Sequence, residues 1–141
     1  MIINFHPTEI ESKKGIEVLT KINSSAVHAV VHATEKTPEE WRNIIKSDEQ
    51  LILLAPVYWW GAGYVFDKWA QEVLSYGFAY TYDTNGTPEG LLSGRAFEMH
   101  MTHGTPAAYA SGMRENIQKR MEQGIFGFCK ATVKLSFYDM T

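Results

Sequence analysis

Apolar residues recur along this chain in two rhythms. Met1 to Phe5 (MIINF), Leu51 to Ala55 (LILLA), Arg95 to Thr102 and Ala131 to Tyr138 read as strands, as does Ala26 to Ala33 with its β-branched residues. The Leu51–Ala55 run has no polar alternation, the pattern of a strand buried on both faces at the centre of a parallel sheet. Helix-period stripes lie between the strands. Ile16, Leu19 and Ile22 mark a helix from Ser12 to Ile22, and Trp41, Ile44 and Ile45 one from Thr37 to Ser47. Phe66, Trp69, Ala70, Val73 and Leu74 mark a third from Tyr64 to Tyr76, and a fourth spans Ala107 to Glu122.

The punctuation agrees. Thr37-Pro38-Glu39-Glu40 has the N-cap threonine, first-position proline and third-position glutamate of a helix start. Ser12 reads as the cap of the first helix and Gly77 as the end of the third, while Gly112 reads as an interruption of the fourth. Asn23-Ser24-Ser25 is a turn before the second strand, and Asp48-Glu49 leads into the central one. Asp83 to Gly94, with Asn85-Gly86 and Pro88, reads as a long loop of the kind that often carries function. The alternation of strand and helix predicts an α/β domain over residues 1–141. Its five-stranded parallel sheet would run in the order 2-1-3-4-5, with helices on both faces and right-handed crossovers. In that order the loops after strands 1, 3 and 4 meet at the switch point, where open α/β sheets bind ligands. Those loops carry His6 to Lys14, Pro56 to Gly61 and Thr102 to Tyr109.

The middle loop holds the clearest chemistry. Tyr58, Trp59 and Trp60 follow Pro56 and Val57 directly, just past the carboxyl end of the central strand. Flat aromatic faces and loop amides there suit a planar heterocycle; a hydrophobic plug under the next helix would use the same residues. Ser12, Lys13 and Lys14, at a helix N-terminus after the first strand, would suit a phosphate. A solvated basic turn is the simpler reading of their composition. His28 and His32 stand about 13 Å apart on a strand, too far for one metal ion. His100 and His103 have no third ligand spaced near them, so no metal is expected. A net charge of −3 gives no electrostatic case for nucleic acid or an anionic membrane. No apolar run reaches membrane-spanning length and no signal-peptide pattern opens the chain, so a soluble cytoplasmic protein is expected. The single cysteine, Cys129, excludes an internal disulfide and reads as a buried small hydrophobe.

Taken together these segments are similar to the flavodoxin-like NAD(P)H:quinone oxidoreductases, the DT-diaphorase branch. The resemblance is carried by PVYWWGAGYVFDKWAQEV (Pro56–Val73) with GFAYTY (Gly77–Tyr82), by Thr102, Gly104 and Tyr109, and by IFGFCKATVKLSFY (Ile125–Tyr138). His6-Pro7 followed by Ser12 fits the family's flavin-phosphate loop.

The resemblance implies a flavodoxin-like three-layer sandwich and a flavin site. His6, Ser12, Lys13 and Lys14 would lie near the phosphate and tail, and Pro56, Val57, Tyr58, Trp59 and Trp60 would line the isoalloxazine. Thr102, His103 and Gly104 would face its polar edge, with Tyr109 beside the ring. Tyr109 and His103 are the implied catalytic residues; Tyr80 and Tyr82 would bound the substrate pocket across a homodimer interface. The implied reaction moves hydride from NAD(P)H to the flavin and on to a quinone-like acceptor. The short first half favours FMN over FAD. His103 stands where the family has glycine, and Glu115 where it has a histidine. Two other roles are compatible with the residues: a flavin-binding regulatory subunit, for example of a potassium-efflux system, and a flavodoxin-like scaffold that binds no flavin.

Overall fold

The computed structural model describes residues 1–22, 30–47 and 50–141. Its strands are β1 (Ile2–Asn4), β2 (Val30–His32), β3 (Leu51–Pro56), β4 (Tyr80–Tyr82), β5 (Pro88–Gly90), β6 (Ala96–His103) and β7 (Thr132–Asp139). Its helices are α1 (Glu9–Ile22), α2 (Pro38–Lys46), α3 (Gly63–Val73) and α4 (Ala107–Lys119). All six residues of β3 are buried, as an unbroken apolar run requires. β3 pairs in parallel with β1 on one side and β6 on the other, and the sheet runs β2-β1-β3-β6-β7. Setting aside β4 and β5, which form a separate two-stranded sheet, this is the expected order 2-1-3-4-5.

Strand alternation sorts the core into two layers. Ile3, Leu51, Leu53, Ala55, Phe97, Met99 and Met101 join the large cluster, which also takes residues from α2, α3 and α4. Ile2, Ile52 and Leu54 join Leu19 and Ile16 of α1 in a smaller one. Phe5 makes edge-on contacts with Phe66 and Trp69, both at 5.3 Å, and fixes α3 over the sheet. Each of these large side chains contributes about 1.5–3 kcal/mol by leaving water. Trp41 is buried too, with its indole N–H donating to the Ala33 carbonyl at 2.9 Å. Thr37 and Glu40 cap α2 reciprocally, as their spacing requires.

Four boundaries differ from the sequence reading. α1 starts at Glu9, not Ser12: the Glu11 amide donates to Thr8 Oγ1 and the Ser12 amide to the Thr8 carbonyl. Ser12 is thus inside the first turn, with its hydroxyl accepting from Asn4 Nδ2. α3 ends at Val73, and Gly77 belongs to the turn beyond it. α4 runs through Gly112 without a break, then loosens into a wider turn over Arg120–Ile125, where the Phe126 amide reaches back five residues to the Met121 carbonyl. The long loop after Tyr82 is largely a hairpin, with Tyr80 opposite Gly90 and Tyr82 opposite Pro88. Of the second strand, Val30–His32 is observed; residues 26–29, with His28, lie outside the described residues, as do the Asn23–Ser25 turn and Asp48-Glu49. Cys129 is buried, and that burial pushes its thiol pKa up. No helix among the described residues is long and apolar enough to cross a membrane.

Candidate functional site

The carboxyl ends of β1, β3 and β6 meet at one edge of the sheet, and two clefts open there. The smaller, of about 220 Å³, is lined by His6, Glu11, Lys14, Pro56, Val57, Tyr58, Thr102, His103, Gly104 and Met140. The larger, of about 650 Å³, is lined by Pro7, Tyr58, Trp59, Trp60, Gly61, Gly63, Tyr64, Asp67 and Arg120. Tyr58 borders both. A volume of that size lies within the usual range for small-molecule sites, about 300–1,000 Å³.

The turn between β3 and α3 is unusual. Tyr58 and Gly61 exchange two backbone hydrogen bonds, at 3.0 and 2.8 Å, so Trp59 and Trp60 are the two central residues of a tight turn. Both have positive φ, 49° and 55°. Glycine, asparagine or aspartate normally takes such positions. Each tryptophan there costs about 1–2 kcal/mol of backbone strain. Trp59 is also 102% exposed, so it returns nothing to the core. Trp60 is 42% exposed and lies against α4 at Gly112, where an added Cβ would stand 3.3 Å from the indole. Backbone strain of this kind clusters at active sites and ligand clamps in folded proteins.

Beneath the smaller cleft lies a buried polar network. Asn4 Oδ1 accepts from the His6 amide at 3.1 Å and from His6 Nδ1 at 2.8 Å, while Asn4 Nδ2 donates to Ser12. Nδ1 therefore carries the ring proton, and His6 Nε2 accepts from the Thr102 hydroxyl at 3.1 Å. The His6 carbonyl accepts from His32 Nε2 at 2.8 Å. Gly15 makes room: a Cβ there would stand 2.9 Å from the imidazole. Burial holds the His6 pKa far below its ordinary 6.5, at about 4, so the ring is neutral near pH 7. The unfolded chain takes up a proton near 6.5 that the folded chain refuses until about 4. Stability from this group is therefore complete above pH 6.5 and is lost as pH falls toward 4. Urea titrations near pH 7 and near pH 5 should differ by about 2 kcal/mol on this account. In His6→Gln the difference should shrink by that amount; an unchanged difference would remove His6 as its source.

His103 is buried; its Nδ1 accepts from the Thr105 amide at 3.2 Å, which puts a ring proton on Nε2. The Val57 amide donates to the Thr102 carbonyl at 2.8 Å and ties the β3 loop to the end of β6. Tyr58 donates its hydroxyl to Glu11 Oε2. Burial first, and that carboxylate second, push the Tyr58 pKa up to about 12.

Most expected site residues come together here: His6, Lys14, Pro56, Val57, Tyr58, Thr102, His103 and Gly104 in one cleft, Tyr58, Trp59 and Trp60 in the other. Ser12, Lys13 and Tyr109 line neither, and Tyr109 is 61% exposed on the first turn of α4. Tyr80 and Tyr82 sit on the hairpin in an aromatic group with Tyr76 and Phe128. Tyr80 lines a third cleft, of about 250 Å³, that shares Asp67 and Arg120 with the large one. Those two make a half-exposed ion pair at 2.9 Å, a geometry worth little in water. The sequence reading missed Asn4, Glu11, Tyr64, Asp67, Arg120 and Met140. Only Asn4 carried a signal, as the one polar residue in an otherwise apolar strand. Among the described residues no three His, Cys, Asp or Glu side chains could jointly hold a metal ion.

Residues 17–138 match a family described as having the flavodoxin-like fold. The structure is similar to Smu.1420 from Streptococcus mutans UA159, with a TM-score of 0.74 at 22% identity over 98% of this chain and 85% of that one. It is similar to an NAD(P)H:quinone oxidoreductase from Methanothermobacter marburgensis, with a TM-score of 0.71 at 18% identity over 99% and 86%. It is also similar to general stress protein 14 from Treponema denticola, solved in complex with FMN, with a TM-score of 0.68 at 21% identity over 96% and 82%. No curated protein matches by sequence.

Proposed function

The chain belongs to the flavodoxin-like fold family, and on that premise we propose that it is a flavin-dependent oxidoreductase passing two electrons from NAD(P)H to a quinone or similar acceptor in the cytoplasm. The observation that carries this reading is the Tyr58–Gly61 turn, with two tryptophans on left-handed backbone at the sheet's switch point. The FMN complex of the Treponema denticola protein and the quinone oxidoreductase from Methanothermobacter marburgensis support the cofactor and the acceptor class.

The residues fit the ring end of a flavin. Trp59 and Trp60 offer stacking faces on the larger cleft, Pro56 and Val57 border the smaller one, and Tyr58 lines both. The His103 Nε2 proton can be donated to a polar edge, and Thr102, whose own proton goes to His6, can accept. FMN is proposed over FAD because little protein remains in the first half to hold an adenosine. When bound, the flavin supplies the electron-transfer chemistry. The chain's own part is to bind the ring, keep water off it with the indoles and offset charge at its edge through His103 and loop amides. Tyr109, an exposed residue five positions past Gly104, is proposed as a second donor. We further propose a homodimer in which Tyr80 and Tyr82 of one copy bound the acceptor pocket of the other. The aromatic surface of Tyr76, Tyr82 and Phe128 supports it.

The test is an absorption spectrum of the purified protein before and after addition of FMN with the excess removed. Bands near about 375 and 450 nm are expected, followed by turnover of a quinone with a nicotinamide. No retained flavin under either condition would sink the reading and leave the aromatic turn as a protein-binding surface. Sedimentation showing only a 16.0 kDa species would remove the cross-subunit role of the tyrosines.

A further inference from the structure

The larger cleft places a cation beside its aromatic walls. Tyr58, Trp59, Trp60 and Tyr64 supply the walls, and among the described residues that line it only Asp67 and Arg120 carry charge. Arg120 is held from two sides. Its Nη2 donates to Asp67 Oδ1 at 2.9 Å, and its Nη1 lies against the Trp59–Trp60 turn, 3.3 Å from where a Cβ on Gly61 would stand. Arg120 also opens the widened turn that follows α4, which Met121 and Phe126, both wholly buried, anchor in the core. Widened helical turns of this kind are frequent at functional sites.

A guanidinium offers several N–H donors in a rigid fork. Asp67 takes one of them, and among the described residues no other partner is bonded to Arg120. The pair is half-exposed and adds little to stability, so Asp67 orients the fork more than it braces the fold. A flat ring can stack on an indole face, while a fork beside it takes a carboxylate or sulfonate two oxygens at a time. Gly61 follows Trp60 directly, so stacking face and cation are neighbours. That spacing suits an acid group bonded to the ring itself better than a phosphate on a long tail.

We propose that the larger cleft is a site for planar aromatic anions, with Arg120 as its specificity-determining residue and the electron acceptor as the ligand. Naming that ligand an acceptor rests on the flavin reading above; the selectivity for an anion does not.

The probes are naphthalenesulfonate and naphthol, a matched anion and neutral ring, titrated by calorimetry into flavin-free protein at neutral pH. Arg120→Gln should weaken the sulfonate about tenfold and leave naphthol within about twofold, because one charge-assisted contact at a half-exposed site is lost. Arg120→Lys, which keeps the charge without the fork, should fall between. Asp67→Asn keeps an oxygen for Nη2 but removes the opposing carboxylate, and should tighten the sulfonate about threefold. Equal loss of both probes in Arg120→Gln, unchanged sulfonate affinity, or no sulfonate binding by the wild-type protein overturns the proposal. With FMN loaded, a naphthoquinone sulfonate set against menadione should repeat the pattern in KM. A rise confined to the KM of the nicotinamide, or weakened FMN with riboflavin unmoved, would put the anion on the donor or the cofactor and overturn the acceptor assignment. Protein that takes up no flavin yet prefers the sulfonate overturns the flavin reading and leaves the role of Arg120 in place.

Discussion

Replacing Trp59 and Trp60 together by glycine is expected to weaken flavin binding by about 100-fold, since stacking on an aromatic face is worth about 1–3 kcal/mol. The same change should leave the fold at least as stable. Trp59 is wholly exposed and Trp60 nearly half so, which leaves little buried surface to lose. Glycine accepts the positive φ of both positions without the steric cost a tryptophan bears, about 1–2 kcal/mol each. That relief offsets the contact Trp60 makes at Gly112. Binding and stability should therefore move in different directions, as at sites where strain serves function. Flavin titration beside a thermal melt checks both. A large fall in melting temperature would make the indoles a structural plug; unchanged affinity would remove them from the site.

Gly90→Ala should destabilise the fold strongly, by about 3 kcal/mol or more. A Cβ at residue 90 would stand 2.3 Å from the Cys129 carbonyl carbon and 2.6 Å from both its oxygen and the Lys130 nitrogen. All three are backbone atoms, so no rotamer change can relieve the overlap. Close by, the Leu92 amide donates to the Cys129 carbonyl at 2.9 Å, and the turn at Gly127–Cys129 ends on Lys130 with φ 63°. The hairpin carrying Tyr80 and Tyr82 is seated through this contact. Urea unfolding of the variant measures the loss; a change under about 0.5 kcal/mol, the range of neutral surface substitutions, would mean the hairpin shifts freely.

The two sites explain which parts of the molecule could be read in advance. Leu51–Ala55 was legible because burial on both faces writes an unbroken apolar run. The loops after β1, β3 and β6 were legible because strand order alone brings them together. The hairpin was not, since Pro88-Glu89-Gly90 has no strand propensity and pairs with Tyr80–Tyr82 while docked on the turn at Cys129. At α1 the signal was present in Thr8-Glu9-Ile10-Glu11, a capping-box spacing, but Ser12 offered a competing cap. Gly112 did not break α4, because a small residue in that helix leaves room for Trp60. Glu11 was invisible as a site residue: its meeting with Tyr58 joins positions 47 apart in the chain.

The hydrogen-bonded series from His32 through the His6 carbonyl and imidazole to Thr102 has a mechanical consequence. It runs crosswise to the strands and laces the ends of β2, β1 and β6, while Asn4 fastens α1 to the same line through Ser12. The floor of the smaller cleft is thereby held laterally rather than by the loops above it. A loop that opens to admit a ligand would move over a foundation that stays in register, and a disturbance at the outermost strand, through His32, would be felt at Thr102 beyond the central one.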